Sequence, residues 1–355
     1  MQQRLNRIWY EGAAGAAWLA PLAGLYGAVI GLRRAAYRAG LLRVQRAPVP
    51  VVVVGNLTAG GTGKTPLVAH LARELAARGV RPGIASRGYG SAGGAGDASG
   101  PVDPAGDWRC VGDEPLLLAR LTGAPVMVNR ERAAAAAQLA RLGAELVICD
   151  DGLQHLALAR DLEIIVIDGA RGLGNGRLLP AGPLRERPVR LAGADLIVVN
   201  GTPAPALLEL IARLGGPVPL TMQLLPGGIE PVSPAAAGSG ALPWGGTLAA
   251  LRGRRVHAVA GIGNPRRFFE LLGGFGVEVV PHAFPDHHPF AADELRFGDG
   301  LPVLMTEKDA MRCAGIEGLV AGFVPVTAQF GAADAAALAA RVQAVLARVQ
   351  AVQRR

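Results

Sequence analysis

Residues 51–79, VVVVGNLTAGGTGKTPLVAHLARELAARG, constrain the fold more than any other stretch of the chain. The run of four valines predicts a buried strand of a parallel sheet, because such strands are apolar on both faces. Apolar residues at helical spacing follow and predict a helix that ends near Gly79. The glycines in between allow backbone N–H groups to converge on phosphate oxygens at the helix N terminus. We therefore predict a phosphate-binding strand–loop–helix unit.

The loop matches the P-loop pattern G-x-x-x-x-G-K-[ST] except at its first position, which is Thr58. Lys64 is expected to reach the β- and γ-phosphates of a nucleotide, and Thr65 to place its hydroxyl on Mg²⁺. The predicted nucleotide-binding residues, in chain order, are Thr58, Ala59, Gly60, Gly61, Thr62, Gly63, Lys64 and Thr65.

The basic residues of the chain are almost all arginine. Among the 36 lysine and arginine residues, only Lys64 and Lys308 are lysines. A lysine in such a composition indicates a place where a compact point charge is needed rather than a planar fork. Lys64 fits this interpretation. For Lys308, a surface ion pair with Glu307 or Asp309 is an equally good explanation.

The charge of the chain indicates an anionic partner. Its formal net charge of +8 favours a membrane surface or a phosphorylated substrate. We expect no nucleic acid, because aromatic residues make up only 5% of the chain and no nucleic-acid-binding motif occurs. We infer no obligate protein partner. The three cysteines have no C-x-x-C spacing, which indicates a reducing compartment without disulfides or a zinc site.

Residues 13–32 form an uncharged stretch that is mostly Ala and Gly, with arginines on both sides. Three interpretations remain open: a helix that spans the bilayer, a helix that lies in the interface, or a buried core helix. In the second, Trp9, Tyr10, Trp18 and Tyr26 would be the anchors. We favour membrane association, and the basic cluster after the stretch predicts that the main domain is cytoplasmic.

Strand-like runs after the loop alternate with helical stretches, at residues 83–86, 125–128, 145–151, 163–169 and 195–201. This alternation predicts an α/β fold with a P-loop NTPase-like parallel sheet domain, a second, smaller α/β domain and an N-terminal membrane-associated helix. The predicted boundaries are an N-terminal segment at 1–46, the P-loop domain at 47–215, a Pro/Gly/Ser-rich linker at 216–255 and the smaller C-terminal domain at 256–355.

Polar residues follow the strand-like run LVICDD. Asp150 and Asp151 stand at its end, where P-loop enzymes place an acid that holds Mg²⁺, and capping of the next segment is the alternative. Gln154 and His155 come next, on a short turn at the same edge. The histidine is a candidate for orienting phosphate or positioning a carboxylate.

Two further groups carry acids. Asp113 and Glu114 precede a predicted helix, and capping explains one of them fully. The stretch FPDHHPF offers Asp286, His287 and His288. Paired histidines and an acid could bind a metal, but no third ligand cluster is apparent, and an Asp–His pairing across a domain cleft that activates an alcohol is the sharper hypothesis.

A Gly/Pro-rich loop at residues 174–190 follows a predicted strand and so lies at the ligand edge of the sheet. Its arginines suit a phosphate-bearing substrate, with solvent-facing charge as the alternative. The predicted substrate-binding residues are Arg87, Tyr89, Gln154, His155, Asn175, Arg177 and Arg185.

Eight short motifs occur in one order between residues 50 and 313, namely GNLTAGGTGKTP, SRGYG, GDEP, DDGLQH, GNGRLLPAGPLRE, GIGNP, FPDHH and TEKDA. In this combination the chain resembles the tetraacyldisaccharide 4'-kinase family, which also has Thr at the first loop position. The resemblance implies an ATP-dependent kinase at the cytoplasmic face of the inner membrane of Gram-negative bacteria. Its lipid substrate would be tetraacyldisaccharide 1-phosphate, phosphorylated at the 4'-hydroxyl to give lipid IVA.

The resemblance also implies roles for single residues. ATP and Mg²⁺ would be bound by Lys64 and Thr65, with Asp150 and Asp151 as the metal-side acids. The catalytic acid of the family falls on Asp113. Its assisting histidine is placed at His287, with His288 as the second choice. The uncharged N-terminal stretch becomes a membrane-binding helix.

Two other functions remain as alternatives. A membrane-bound P-loop ATPase switch is one, although Ala59 stands where such proteins have a signature lysine. A GTPase is the other, although Thr306 stands where the guanine-reading motif N-K-x-D has Asn.

Overall fold

The computed structural model describes residues 2–88, 99–238 and 242–353. Its helices are α1 (Gln2–Tyr10), α2 (Ala20–Arg38), α3 (Lys64–Ala77), α4 (Trp108–Val111), α5 (Asp113–Thr122), α6 (Arg132–Arg141), α7 (Pro205–Arg213), α8 (Pro234–Ala237), α9 (Pro265–Gly274), α10 (Glu307–Cys313) and α11 (Ala332–Gln353). Its strands are β1 (Val51–Gly55), β2 (Pro82–Ser86), β3 (Gly100–Pro101), β4 (Val126–Val128), β5 (Leu146–Asp150), β6 (Leu162–Asp168), β7 (Leu196–Asn200), β8 (Leu220–Pro226), β9 (Glu230–Pro231), β10 (Arg255–Ala260), β11 (Glu278–Ala283), β12 (Val303–Thr306), β13 (Ala321–Val324) and β14 (Val326–Phe330). Short 3₁₀ helices lie at Pro188–Gly193, Leu248–Leu251 and Asp293–Leu295.

Within the described residues, the larger sheet has nine strands in the order β14-β8-β7-β6-β1-β5-β2-β4-β3. The strands from β8 to β4 in this order run parallel, and β14 and β3 pair antiparallel at the two edges. The central strands are buried over their whole length, as the runs of apolar residues require. The predicted parallel sheet with a P-loop after its first strand is confirmed.

The carboxyl ends of the central strands bring polar side chains to the P-loop. In the parallel register, Val54 of β1 lies opposite Asp150 of β5. On the other side, Asp168 of β6 lies opposite Asn200 of β7. Because parallel strands all end at the same edge, acids and amides from three of them surround the start of α3.

The smaller sheet has the order β11-β10-β12-β13-β9 in the described part of the chain. Four of these strands run parallel, and the short β9 pairs antiparallel with β13. The loops that follow β10 and β11, and the start of α10, reach towards the P-loop edge of the larger sheet and line the cavity described below. The predicted second, smaller α/β unit is therefore present.

The two sheets divide the chain at residues other than the predicted boundaries. The prediction places residues 216–255 in a linker, but β8 pairs with β7 in the larger sheet and β9 joins the smaller one. After β13 the chain returns to the larger sheet, where β14 pairs with β8 and α11 packs against β6, β8 and β14. The residues from β14 onward therefore leave the predicted C-terminal domain of 256–355. This pairing joins strands about a hundred residues apart, and local sequence patterns carry no signal for it.

Both faces of the larger sheet are covered. On one face, α3, α5 and α11 contribute to a single apolar cluster with the inward side chains of the strands. On the other, α6 and α7 cover separate clusters. The smaller sheet has two clusters of its own. This covering leaves the strand ends, and the loops that follow them, as the place where polar groups meet.

The predicted N-terminal segment contains two helices, α1 before the uncharged stretch of residues 13–32 and α2 within and beyond it. In the uncharged stretch, the α-helix begins at Ala20, because Pro21 lacks a backbone N–H and fits in the first turn of a helix. Ala23 and Gly27 of α2 face the protein, and a Cβ on Gly27 would collide with Leu178. Its large apolar side chains face outward instead, including Leu25, which is 64% exposed. In the described part of the chain, no helix has both the length and the apolarity that crossing a bilayer requires.

Three of the four predicted aromatic anchors face the protein, which corrects that part of the prediction. The Trp9 ring nitrogen donates to the carbonyl of Pro180 at 2.9 Å. Tyr10 lies under the guanidinium of Arg171, and the Tyr26 hydroxyl donates to a carbonyl of the 174–190 loop at 3.3 Å. Only Trp18 is exposed among the four.

Candidate active site

The glycines of the P-loop have the backbone conformations that make a phosphate cradle. Gly60 and Gly63 have φ angles of 103° and 96°, a region that L side chains rarely adopt. A Cβ on Gly63 would also collide with the side-chain amide of Asn200. Gly63 caps the first turn of α3, where backbone N–H groups have no helical partners. The loop is therefore shaped to present N–H groups to an anion.

The position without the consensus glycine has an ordinary backbone. Thr58 forms a short antiparallel bridge with Leu184, and the Ala59 N–H donates to the carbonyl of Pro183 at 2.7 Å. The described non-glycine residues with a positive φ are Asp151 and His287, so a side chain at position 58 causes no backbone strain. The bridge also anchors the P-loop to the 174–190 loop.

Two cations share the carboxylate of Asp151. The Lys64 ammonium lies 3.4 Å from its Oδ1, and Arg185 donates to its Oδ2 at 2.9 Å. Burial alone would raise the pKa of Asp151, but Lys64 and Arg185 outweigh it and hold the pKa well below its usual range. Asp151 is therefore a carboxylate that keeps the P-loop lysine at the cavity.

Asp150 is buried and only partly satisfied. Its Oδ1 has no hydrogen-bond partner among the described residues. Burial, followed by the charge of Glu114, raises the pKa of Asp150 to about 7. A buried carboxylate oxygen without a partner is costly, and a bound cation would remove that cost. Thr65 lines the same cavity, and a hydroxyl and a carboxylate are oxygen ligands of the kind that Mg²⁺ accepts alongside phosphate and water.

The protein by itself offers no preformed metal cage in the described part of the chain, where no group of three or more His, Cys, Asp or Glu residues could hold an ion. Mg²⁺ usually keeps several waters and takes one or two carboxylates plus substrate phosphates. The unpartnered Asp150 carboxylate oxygen and the Thr65 hydroxyl are oxygen ligands of that kind.

Asp113 and His287 meet across the two units. Asp113 is the first residue of α5, and His287 lies on the loop after β11 with a φ of 59°. The His287 Nδ1 lies 3.0 Å from Asp113 Oδ2 and 3.1 Å from Oδ1. His288 instead pairs with Glu294 at 2.9 Å, so the structure brings the first-choice histidine to Asp113.

Each member of the pair changes the pKa of the other. Burial alone would raise the pKa of Asp113, but the hydrogen bond from His287 and the charge of Lys308 outweigh it and lower the pKa to about 2. The same hydrogen bond raises the pKa of His287 above its ordinary value of 6.5. His287 lines the cavity, whereas Asp113 is 1% exposed and lies behind it. The arrangement is an oriented imidazole with a buried carboxylate at its back.

Arg312 of α10 supports this pair and carries no signal in the sequence. Its guanidinium is fully buried, donates to Asp309 Oδ1 at 2.6 Å and to the Gly261 carbonyl at 2.9 Å, and lies 3.5 Å from Asp113. Removing any one partner would leave a buried charge uncompensated. Arg312 therefore fixes Asp113 relative to the smaller sheet.

The GIGNP loop after β10 packs directly on the P-loop. A Cβ on Gly263 would collide with the backbone of Gly60 and Gly61. Arg171, in the loop after β6, donates to the Gly263 carbonyl at 2.9 Å. Arg267, in the first turn of α9, donates to Asn200 Oδ1 at 2.8 Å. The sequence marks this motif but does not predict what it touches.

Lys308 has a partner other than the two expected from the sequence. It lies in the first turn of α10, and its ammonium bonds to Glu114 Oε1 on α5 rather than to Glu307 or Asp309. The pair therefore joins the smaller unit to the larger one at the cavity, which both side chains line.

The loops of the two sheets enclose a cavity of about 800 Å³. The predicted site residues that line it are Gly60, Gly61, Thr62, Gly63, Lys64, Thr65, Arg87, Asp150, Asp151, Gln154, His155, Arg185 and His287. Burial, and then the charge of Arg132, lowers the pKa of His155 to about 4, so its ring is neutral near pH 7.

Two predicted substrate residues in the described part of the chain, Asn175 and Arg177, are not at the cavity. Asn175 holds the 174–190 loop together, because its side-chain amide donates to the carbonyls of Ile8 at 3.3 Å and Ala181 at 2.9 Å. Arg177 is exposed on the same loop, away from the cavity lining. Tyr89 lies outside the described residues.

A cradle of backbone N–H groups, a lysine and a strand-end acid around one cavity define a P-loop nucleotide-binding enzyme. The comparisons specify the family. The family model described as tetraacyldisaccharide-1-P 4'-kinase matches residues 15–347, and the chain belongs to this family. Membership makes it a phosphotransferase of lipid A biosynthesis.

Relatives cover most of the chain. A tetraacyldisaccharide 4'-kinase of Alkalilimnicola ehrlichii is 54% identical over 311 residues, which are 88% of this chain and 88% of the relative. One of Azoarcus sp. is 49% identical over 331 residues, 92% of each chain. A solved structure, LpxK from Aquifex aeolicus described as a complex with ATP, superposes with a TM-score of 0.66 at 26% identity. The match covers 94% of this chain and 99% of that one.

Proposed function

We propose that this protein transfers the γ-phosphoryl group of ATP to the 4'-hydroxyl of tetraacyldisaccharide 1-phosphate at the cytoplasmic face of the inner membrane. The product would be lipid IVA. One observation carries the proposal. Lys64, on the P-loop of the larger sheet, and His287, on a loop of the smaller unit, line the same cavity, and Asp113 pairs with His287 from behind.

In the transfer, the bond from the γ-phosphorus to the oxygen that bridges to the β-phosphate breaks, a bond to the sugar oxygen forms, and ADP leaves. This reaction asks little covalent chemistry of a protein, so positioning and charge neutralisation supply most of the rate. Residues 60–65, which line the cavity, would hold the triphosphate with backbone N–H groups, and Lys64 would contact its β- and γ-phosphates.

Thr65 and Asp150 would hold Mg²⁺, which supplies positive charge to the phosphate oxygens when bound. The unpartnered, buried Oδ1 of Asp150 supports this role. The sequence also predicts Asp151 as a metal ligand. Because both of its oxygens already face Lys64 or Arg185, we assign it the positioning of Lys64 instead.

The Asp113–His287 pair would accept the proton of the sugar hydroxyl. His287 faces the cavity and Asp113 stabilises the positive charge that the ring carries once it holds the proton. The hydroxyl would approach from the side of Gln154, His155 and Arg87, which line the same cavity. A neutral His155 suits a hydrogen bond to a sugar hydroxyl, and the guanidinium groups suit the phosphate.

We propose that α2 is the membrane contact, lying in the interface. Its outward side chains recur at helical spacing, namely Trp18 just before the helix and Leu22, Leu25, Val29 and Leu32 within it. The opposite face packs on the 174–190 loop, and Arg34 donates to Glu186 at 2.6 Å. Glu186 in turn accepts from Gln154 at 3.1 Å. Tyr26 and Arg33 of α2 line the cavity themselves, so the proposed membrane helix borders the site directly.

The experiment is the transfer of radiolabelled γ-phosphate from ATP to tetraacyldisaccharide 1-phosphate in detergent micelles. Labelled lipid is expected with the unmodified protein and not with Lys64→Ala. ATP hydrolysis without labelled lipid, by well-folded protein, would favour the P-loop ATPase switch. Labelling from GTP in preference to ATP would also contradict the proposal.

The membrane contact has its own test. Leu25→Glu together with Val29→Glu should weaken binding to anionic lipid vesicles about 10-fold or more, because burying each side chain contributes roughly 1.5–3 kcal/mol. The matched control is Leu142→Glu with Val218→Glu, two apolar side chains exposed elsewhere on the larger unit. Equal vesicle binding by the two double variants would rule out α2 as the contact.

A further inference from the structure

The two lysines of the chain both line the cavity. Lys64 comes from the P-loop of the larger sheet, and Lys308 comes from α10 of the smaller unit. Elsewhere the chain uses arginine for every basic side chain, including all the other cations around this cavity. The family role of the P-loop lysine explains only the first of them.

The contact of Lys308 does not by itself require a lysine. Its ammonium bonds to Glu114, and α10 packs against α5 around this pair. An arginine can also bind a carboxylate here, as Arg185 does with Asp151, whose two oxygens both accept from its Nη1. A compact ammonium on a flexible stem is preferable where the charge must move between partners or approach a phosphate oxygen closely.

Carboxylates surround the Lys308 ammonium at the cavity. Burial alone would lower its pKa, but Glu114, Asp113 and Asp286 outweigh it and raise the pKa well above its ordinary value. Lys308 and Glu114 line the same cavity as Lys64 and Asp150, on which the P-loop and the proposed metal side lie. The Lys308 ammonium therefore shares one cavity with the P-loop lysine and with His287.

We propose that Lys308 is a second phosphate-binding lysine, which leaves Glu114 when ATP binds and contacts the γ-phosphate from the smaller unit. This role rests on the proposed kinase function. The exchange replaces one carboxylate by a terminal phosphate of higher charge, and Lys308 then holds the transferred group between the two units. Glu114 keeps the ammonium at the cavity until the nucleotide arrives.

The test compares ATP with ADP, because ADP lacks the γ-phosphate. Dissociation constants of both Mg²⁺-nucleotides are measured by calorimetry for the unmodified protein and for Lys308→Met, which keeps the length of the side chain and removes its charge. We expect ATP binding to weaken about 10- to 100-fold, as for the loss of one or two charge-assisted contacts, and ADP binding to change less than about 2-fold. Lys308→Arg keeps the charge and should restore part of the preference for ATP.

A structural role for the ion pair predicts a different pattern. Glu114→Gln breaks the pair and leaves the lysine in place, so the proposal expects the preference for ATP over ADP to persist in this variant. If Lys308 only joins α10 to α5, Glu114→Gln and Lys308→Met will weaken both nucleotides alike and lower the melting temperature together. Equal weakening of ATP and ADP in Lys308→Met, or in Lys308→Arg if the first variant does not fold, overturns the proposal. Absence of ATP binding by the unmodified protein would instead refute the proposed function.

Discussion

The larger and the smaller sheet both supply loops to the cavity, but they supply different kinds of group. The larger sheet contributes backbone, in the form of the P-loop cradle, and the carboxylates of Asp150 and Asp151 at the end of β5. The smaller unit contributes side chains that reach across, namely His287 on the loop after β11, Lys308 on α10 and Arg267 on α9. The P-loop and its carboxylates are all supplied by the larger sheet. The side chains of the smaller unit reach the cavity only when the two units pack against each other.

In the proposed mechanism, the two sets of residues therefore serve different steps, nucleotide binding for the P-loop and phosphoryl transfer for the Asp113–His287 pair. Phosphate binding by the P-loop depends on local geometry that spans a few residues. The Asp113–His287 pair depends on contacts between units, such as Arg312 with Asp113 at 3.5 Å and Arg171 with the Gly263 carbonyl at 2.9 Å. Substitutions in the two sets should therefore affect nucleotide binding and transfer in different proportions.

The largest effect is expected for Lys64→Ala, in the part supplied by the larger sheet. The substitution removes the positive charge that contacts the transferred phosphoryl group. The transfer rate should therefore fall about 10³-fold or more, and ATP binding should weaken as well. The rate is measured by lipid labelling and the affinity by calorimetry. Arg141→Ala, which removes an exposed positive charge on α6, is the control and should change neither.

The next largest effect is expected for Asp113→Ala. Transfer should fall about 10²- to 10⁴-fold, as for the loss of general base catalysis, while ATP binding persists. His287→Ala should behave similarly, and the double variant should be little worse than either one because the two residues act as a unit. Loss of ATP binding in Asp113→Ala would make Asp113 a structural residue.

A smaller effect is expected where the two units touch. In Gly263→Ala the added Cβ would push the GIGNP loop off the P-loop, an overpacking that costs roughly 1–3 kcal/mol. ATP affinity should therefore fall about 10-fold. Gly273→Ala in α9, where a Cβ would meet no atom within 4 Å, is the matched control. Equal affinities in the two variants would mean that the P-loop binds ATP independently of the smaller unit.

The smallest effect is expected on the pKa of His287. The hydrogen bond to Asp113 raises the pKa of His287, so Asp113→Asn should lower this pKa towards its ordinary value of 6.5. Because the raised pKa favours the charged ring in the folded state, the stabilising contribution is complete below the unfolded pKa of His287. It is lost as the pH rises from there through the higher folded value. An NMR titration of the His287 ring tests this, and an unchanged midpoint would contradict the pairing.

Particular residues show how far the sequence reaches. The P-loop, its lysine and the acids after β5 follow one another within short stretches of parallel strand and loop, and all of them lie where the sequence predicts. The choice of His287 over His288 as the partner of Asp113 agrees with the geometry, although it came from a resemblance to a family. Asn175 is different, because its motif predicts a substrate contact and the fold uses it to hold the loop against α1.

The domain boundaries cannot be predicted from the sequence, for a physical reason. The pairing of β14 with β8 returns the end of the chain to the larger sheet, and hydrogen bonding between distant strands leaves no periodic pattern in either of them. The inward turn of Trp9, Tyr10 and Tyr26 was missed likewise. An aromatic residue beside an apolar helix suits both a membrane interface and a protein surface.

By itself, the sequence determined a nucleotide-binding strand–loop–helix unit, a parallel sheet around it and the ordered motifs of one kinase family, because each of these is encoded over a few to about thirty consecutive residues. The tertiary structure alone decided which distant side chains act together. Asp113 and His287 are 174 positions apart, and Glu114 and Lys308 are 194 apart. Their contacts depend on how two sheets pack, and packing is a property of the whole chain.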